Sequence, residues 1–103
     1  MAKEETEIQT QIMEYLETKG YIVTKFNNGA HKVKGGVRGR RAKSTIGVSD
    51  LIACSPEGKF CAIEVKRAEG KLSKEQIDFL DRVRSKGGIG IAAFCLDDVS
   101  STL

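Results

Sequence analysis

The stretch from residue 48 to residue 96 fixes an order of elements that few small folds can satisfy. Two apolar runs, 48–54 and 59–65, are separated by Ser55-Pro-Glu-Gly58. Because Pro and Gly favour a tight turn, these runs predict an antiparallel β-hairpin. A helical segment and a nearly continuous apolar run, 89–96, follow, and such a run is typical of a strand buried on both faces. Because a strand–helix–strand crossover pairs its strands in parallel, the sequence predicts a small mixed sheet.

Two helices complete the predicted order. The first spans Lys3 to Lys19 and leads into a predicted strand at 21–26, and its apolar stripe has helical spacing. The second begins at Ser73-Lys-Glu-Gln76, which matches a capping box, and runs to about Lys86. The stripes consist of Ile8, Ile12, Tyr15 and Leu16 in the first helix and Ile77, Leu80 and Val83 in the second. The predicted fold class is α/β, with an αβββαβ core and one helix on each side of the sheet.

The length and composition bound the class of protein. A chain of 103 residues is expected to form one domain, residues 1–103, with a modest core. No window is apolar enough for a transmembrane helix, and no secretory signal is evident, so no membrane partner is expected. The three cysteines, Cys54, Cys61 and Cys95, lie in apolar runs, which predicts buried, reduced thiols and a cytoplasmic protein.

One segment, the basic loop 27–47, concentrates positive charge. It has five glycines and shows neither helical nor strand periodicity. The rest of the chain has 11 basic and 14 acidic residues, so the positive charge is local and points to a polyanion such as nucleic acid. A solvated loop without a partner is the alternative. The basic side chains are Lys32, Lys34, Arg38, Arg40, Arg41 and Lys43.

Three charged residues are expected to meet at one end of the sheet. Asp50 begins one hairpin strand, and Glu64 and Lys66 end the next, so antiparallel pairing brings them together. Glu64 and Lys66 are two residues apart and therefore share a face of the sheet. Two close carboxylates repel unless a cation lies between them, and Mg²⁺ prefers such oxygen ligands. An ion-pair network at the sheet edge is the structural alternative to a metal site.

Several motifs around these residues resemble one family of enzymes. The motifs are Gly47-Val-Ser-Asp50, Phe60-Cys-Ala-Ile-Glu64-Val-Lys66, Leu72-Ser73 with Gln76, and a helix that carries Glu7. Together they resemble the PD-(D/E)XK nuclease superfamily, and within it the virus-type replication–repair nuclease (VRR-NUC) family in its small stand-alone phage form. The resemblance implies a restriction-endonuclease-like fold and metal-dependent hydrolysis of phosphodiester bonds in DNA.

The resemblance also implies roles for single residues. Asp50, Glu64 and the backbone carbonyl of Val65 look like ligands for Mg²⁺, for which Mn²⁺ is expected to substitute. Lys66 looks like the residue that orients or activates the attacking water. Glu7 matches a helix carboxylate that supports the metal directly or through water, and Gln76 matches a glutamine near the site. Ser49 stands where many superfamily members have proline.

The resemblance to stand-alone members suggests a homodimer that acts on branched DNA as a Holliday-junction resolvase in DNA repair. It places the protein in the cytoplasm, either as a phage protein in a bacterial host cell or in the bacterium itself. The basic loop would hold backbone phosphates, which position DNA without reading its sequence. A nickase, a flap endonuclease and a restriction-like enzyme of the same fold stay open from the sequence. So does a non-catalytic DNA-binding module.

The remaining candidate residues have ordinary explanations. His31 and the Asn27-Asn28 pair lie in the basic loop, where exposure, a phosphate contact or a turn accounts for them. The six aromatic residues follow the apolar pattern, so most are expected in the core rather than as platforms for bases. They are Tyr15, Tyr21, Phe26, Phe60, Phe79 and Phe94.

Overall fold

The computed structural model describes residues 3–26 and 47–103 as an α/β architecture. Its elements are α1 (Glu5–Thr18), β1 (Ile22–Lys25), β2 (Leu51–Cys54), β3 (Phe60–Val65), α2 (Lys74–Ser85), β4 (Ile89–Ala93) and α3 (Leu96–Ser100). The predicted αβββαβ order is confirmed, and a short helix follows it. None of the described helices is both long and apolar enough to cross a membrane.

The strands form one mixed sheet in the order β1-β2-β3-β4. The pairs β1–β2 and β2–β3 are antiparallel, and β3–β4 is parallel, as the hairpin and the crossover predict. In the hairpin, Leu51 lies opposite Ile63 and Cys54 lies opposite Phe60. This register places Asp50, immediately before β2, at the end of the sheet where β3 also ends.

Helices α1 and α2 lie on opposite faces of the sheet. The apolar stripe of α1 and buried Val99 of α3 pack against alternate strand residues and form the main core. Helix α2 packs against β3 and β4, and its Gln76 bonds to Glu64, so the even-numbered residues of β3 face α2. The strand residues of the main core are Leu51, Ala53, Cys61, Ile63, Val65, Ile91 and Ala93.

The C-terminal part of the prediction is wrong in two respects. Strand β4 ends at Ala93 rather than Leu96, because the carboxylate of Asp98 accepts a hydrogen bond from the Phe94 N–H at 2.8 Å and helix α3 begins. Cys95 is exposed just before that helix, whereas Cys61 is buried and Cys54 is half-buried. The expectation of three buried thiols therefore fails for Cys95.

Two of the aromatic side chains also depart from the expected core. Tyr15 and Tyr21 pack against the main core as predicted. Phe26 and Phe60, in contrast, are 45% and 46% exposed. Phe26 follows β1, which is an edge strand, so fewer elements are available to cover its ring.

Gly47 closes the chain tightly against the start of α2. Its φ of +79° lies in the left-handed region, which favours glycine. A Cβ at this position would overlap the carbonyl oxygen of Glu75 and lie 3.0 Å from the Gln76 nitrogen. Because Asp50 lies three residues later, this close approach joins the N-terminus of α2 to the chain that carries Asp50.

The substitution Gly47→Ala is expected to destabilise the protein more than Gly58→Ala. Both glycines have positive φ, so both variants carry a backbone cost of about 1–2 kcal/mol. A Cβ at Gly58 meets no atom within 4 Å, whereas one at Gly47 must displace the backbone of α2, which adds about 1–3 kcal/mol. Urea denaturation of both variants measures the difference. Equal free energies of unfolding would show that the contact between Gly47 and α2 has no energetic weight.

Candidate active site

Asp50 is held at the end of the sheet by hydrogen bonds to both neighbouring strands. Its carboxylate Oδ2 accepts a hydrogen bond from the Val65 N–H at 3.0 Å. Its carbonyl oxygen accepts one from the Phe26 N–H at 2.6 Å. The first bond is made by the residue after Glu64, so the carboxylates of Asp50 and Glu64 are brought to the same end of the hairpin. The structure thus joins two of the residues predicted from the sequence.

Glu64 is a buried carboxylate with one oxygen satisfied and one not. The residue is 2% exposed. Its Oε2 accepts a hydrogen bond from the Gln76 side-chain amide at 2.9 Å, whereas its Oε1 is buried and has no hydrogen-bond partner. A buried, unpaired carboxylate oxygen is costly unless a proton or a cation compensates it. This oxygen is therefore the atom of the site that a bound cation would satisfy most directly.

Gln76 links the start of α2 to this carboxylate. Its Oε1 accepts a hydrogen bond from the Ser73 N–H at 2.8 Å, and the Ser73 hydroxyl accepts one from the Gln76 N–H at 3.1 Å. These reciprocal bonds are the capping box predicted from the sequence. With its oxygen engaged in the cap, the amide nitrogen of Gln76 points to Glu64. The same side chain begins the helix and orients the carboxylate.

The electrostatics of the pair disfavour two negative charges. Burial, the largest cause, together with the neighbouring Asp50 carboxylate, raises the pKa of Glu64 to about 8. The Lys66 ammonium acts in the opposite direction and lowers that pKa, but by less. Without a further cation, Glu64 therefore keeps its proton at neutral pH.

The metal-free protein is expected to lose stability as the pH rises from about 5 to about 8. Glu64 has a pKa of about 8 when folded and an ordinary value of 4.5, so the folded state binds the proton more tightly. Its contribution is fully present below pH 4.5 and is lost as the pH rises through 8, a change on the order of a few kcal/mol.

Urea denaturation in EDTA at several pH values measures this slope. In Glu64→Gln, whose side chain cannot ionise, the loss between pH 5 and pH 8 should be much smaller. In the control Glu69→Gln, which replaces an exposed carboxylate, the wild-type slope should persist. A slope in Glu64→Gln equal to that of the wild type would assign the pH dependence to other groups.

Lys66 is fixed immediately after β3. Its N–H donates to the Ala93 carbonyl at 2.9 Å, which continues the parallel pairing with β4. The chain then folds back so closely that a Cβ on Gly70 would lie 3.3 Å from both Cβ and Cδ of Lys66. The aliphatic part of the lysine is therefore confined, while its ammonium is near enough to lower the pKa of Glu64.

The carboxylates of α1 are arranged differently from the sequence pattern. Glu7 is exposed, and its Oε1 accepts a hydrogen bond from the Glu4 N–H at 3.1 Å in the capping box of α1. Glu5, in contrast, accepts a hydrogen bond from the Arg67 N–H at 3.4 Å, next to Lys66. Reasoning from the sequence missed Glu5. Its spacing could have indicated it, because Glu5 lies one turn before Ile8 and therefore on the buried side of the helix. The role of Glu7 at the site stays a prediction.

The residues present fit a hard divalent cation. Asp50 and Glu64 offer oxygen ligands, and the free, buried Oε1 of Glu64 is the atom that such an ion would satisfy. In residues 3–26 and 47–103, no three His, Cys, Asp or Glu side chains form a ready-made metal cluster. The remaining ligands would have to be backbone oxygens and water, as is usual for Mg²⁺.

The basic residues predicted to bind DNA lie outside the part of the chain that the structure describes. The same holds for His31, Asn27 and Asn28. Their part in the site rests on the sequence alone. The basic residues concerned are Lys32, Lys34, Arg38, Arg40, Arg41 and Lys43.

Two solved structures share this fold. One, a VRR_NUC domain, is 23% identical to the chain with a TM-score of 0.67, and the match covers 94% of this chain and 90% of the other. The second, a VRR_NUC domain protein, is 19% identical with a TM-score of 0.59, and the match covers 98% of this chain and 85% of the other. A search of curated proteins found no significant match.

The fold therefore defines the class of protein, an α/β domain of the type found in VRR_NUC structures. The VRR-NUC domain family matches residues 3–95, which is most of the chain, and the chain belongs to that family. This membership identifies a nuclease domain of the PD-(D/E)XK type and confirms the resemblance seen in the sequence motifs.

Proposed function

We propose that this chain is a metal-dependent, structure-selective DNA endonuclease that acts as a homodimeric Holliday-junction resolvase. The observation that carries the proposal is the pairing of Asp50 with Glu64, a buried carboxylate that has one unpartnered oxygen. Burying these two carboxyl groups side by side costs free energy, since it raises the pKa of Glu64 to about 8. A domain that only bound DNA would gain nothing in return for that cost.

In the proposed mechanism, each residue of the site has one task. Asp50, Glu64 and the carbonyl oxygen of Val65 would hold Mg²⁺, or Mn²⁺ in its place, with support from Glu7. Such an ion, when bound, makes water a stronger nucleophile at neutral pH and offsets charge on the phosphate. Lys66 orients the attacking water and offsets negative charge in the transition state. Gln76 keeps Glu64 in position through the bond to Oε2.

The proposed substrate follows from charge and symmetry. The six basic residues of the segment 27–47 would contact phosphates, which favours recognition of DNA shape over sequence. Resolving a four-way junction requires two nicks, and a symmetric dimer supplies two equivalent sites. The three cysteines are free, which is compatible with a reducing compartment such as the bacterial cytoplasm, where the protein would act in DNA repair.

The test is an incubation of the purified protein with four-way junction, flap, nicked and linear duplex DNA, with Mg²⁺, Mn²⁺ or EDTA. Paired symmetric nicks on the junction, dependent on the metal, are the expected result. Cleavage of flaps alone or single nicks would identify a flap endonuclease or a nickase of the same fold. Cleavage of linear duplex at a fixed sequence would overturn the resolvase assignment, and binding without cleavage under any metal would overturn the enzyme.

A further inference from the structure

One face of the sheet carries large apolar side chains that the described elements leave exposed. Helix α2 packs over β3 and β4, on the face that carries Glu64. On the same face, Ile22 in β1 is 74% exposed, Phe26 just after β1 is 45% exposed, and Phe60 at the start of β3 is 46% exposed. Phe26 lies at the end of the sheet that carries Asp50 and Glu64, whereas Ile22 and Phe60 lie at the opposite end.

The orientation of Phe26 follows from strand alternation. Val23 packs against the main core on the α1 face. Side chains along a strand alternate between faces, so Phe26, three residues later, lies on the opposite face. Glu64 faces the same way, since it bonds to Gln76 of α2. Phe26 and Glu64 therefore share one face of the sheet.

The register places Phe26 in line with the two carboxylates. The Phe26 N–H bonds to the Asp50 carbonyl, which extends the pairing of Lys25 with Leu51 by one residue. One step beyond Leu51 and Ile63, Asp50 is in turn opposite Glu64. Neighbouring strands are about 4.8 Å apart, so the backbones at Phe26 and Glu64 lie about 10 Å apart. This distance corresponds to about three stacked nucleotides at about 3.4 Å each.

We propose that the ring of Phe26 stacks on the face of a base that is left uncovered at a branch point, close to the scissile phosphate, and contributes to the preference for branched DNA. This inference rests on the proposed nuclease function and adds a source for its structure selectivity. Aromatic rings bind bases of any sequence through their faces. In continuous duplex DNA both faces of each base are covered by its neighbours, so stacking a protein ring there costs about a few kcal/mol of unstacking. At a junction, flap or gap the stack is already interrupted and that cost is smaller.

Phe60 provides an internal control for this inference. It has nearly the same exposure as Phe26, and the even-numbered alternation of β3 places it on the same face as Glu64. It lies four residues before Glu64, however, which is about 13 Å along the strand from the proposed site. If any exposed aromatic ring affected DNA binding, substitutions at Phe26 and Phe60 would change it equally. Stacking beside the site predicts a change only at Phe26.

The first measurement uses tryptophan as a reporter, because the chain contains none. Phe26→Trp and Phe60→Trp each introduce a single fluorophore of similar exposure. In EDTA, where cleavage does not interfere, saturation with a four-way junction or a flap should quench the emission of Phe26→Trp and leave Phe60→Trp nearly unchanged. A continuous duplex should quench neither. Anisotropy of labelled DNA, recorded in parallel, verifies that the DNA is bound.

The second measurement compares affinities. Phe26→Ala is expected to weaken binding of the junction about 5- to 150-fold, the loss expected when the ring that stacks on one base is removed, and Phe60→Ala less than about twofold. Phe26→Tyr, which keeps the ring, should bind as the wild type does. Unchanged emission with DNA fully bound, or equal losses in the two alanine variants, would overturn the stacking role and leave the nuclease proposal intact. Absence of DNA binding by the wild type would overturn both.

Discussion

Replacement of Asp50 by Asn, Glu64 by Gln or Lys66 by Met is expected to lower the rate of DNA cleavage about 10²–10⁴-fold while DNA binding survives. The two carboxyl variants remove negative charge from oxygens that would hold the cation. Lys66→Met keeps the aliphatic chain that packs beside Gly70 and removes only the ammonium. Because none of these changes touches the basic segment 27–47, the affinity for DNA should change little.

Cleavage of a labelled four-way junction under single-turnover conditions, together with DNA binding in EDTA, separates chemistry from binding. The matched control is Lys59→Ala, which removes an exposed lysine just before the same strand, at its opposite end. Circular dichroism verifies that each variant is folded. Cleavage by Glu64→Gln or Asp50→Asn at the wild-type rate would show that these residues are not part of the active site, even though the chain has a nuclease fold.

The sequence was sufficient for most of the fold because its signals are local. The turn at Ser55–Gly58 and the capping box at Ser73 each depend on a few neighbouring residues, and the structure contains both. The parallel pairing of β3 and β4 follows from the crossover helix between them, which returns the chain to the end of the sheet where β3 began. The proximity of Asp50 and Glu64 could also be predicted from the sequence, since a hairpin determines which residues of its two strands lie opposite each other.

The parts that the sequence did not predict depend on contacts between distant elements. The capping pattern indicated that Gln76 begins a helix, but not that its amide nitrogen would bond to Glu64 twelve positions away. Helix α3 begins at Leu96, the last residue of the apolar run, and the Phe94 N–H just before it donates to the Asp98 carboxylate. The exposure of Phe26 reflects which half of the sheet α2 covers, and hydropathy alone carries no information about that choice.

The α1 helix illustrates how a motif and a periodic pattern can point to different residues. The family resemblance selects Glu7. The helical period places Glu5 instead on the face of α1 that carries Ile8, one turn earlier. In the structure Glu7 belongs to the helix cap, and Glu5 contacts the chain next to Lys66. Cleavage by Glu5→Gln and Glu7→Gln would therefore distinguish a carboxylate that supports the site from one that only begins the helix.

Addition of Mg²⁺ or Mn²⁺ at pH 8 is expected to stabilise the wild-type protein against thermal unfolding. An ion at one hundred times its dissociation constant stabilises the folded state by about 2.7 kcal/mol, and each kcal/mol raises the Tm of a domain of this size by about 4–8 °C. The gain should be smaller at pH 6, because the raised pKa of Glu64, about 8, means that a proton competes with the cation there.

Thermal unfolding of four proteins, with each metal and with EDTA, tests this expectation. Glu64→Gln and Asp50→Asn should lose most of the gain, whereas Glu69→Gln, which replaces an exposed carboxylate, should keep it. Equal gains in all four proteins would mean that the cation binds elsewhere. In EDTA at pH 8, Glu64→Gln should be more stable than the wild type, since a neutral amide avoids the cost of a buried charge. With metal present, the wild type should be the more stable of the two. If added metal makes the wild type more stable than Glu64→Gln, the cation binds at Asp50 and Glu64 and offsets the repulsion between their carboxylates.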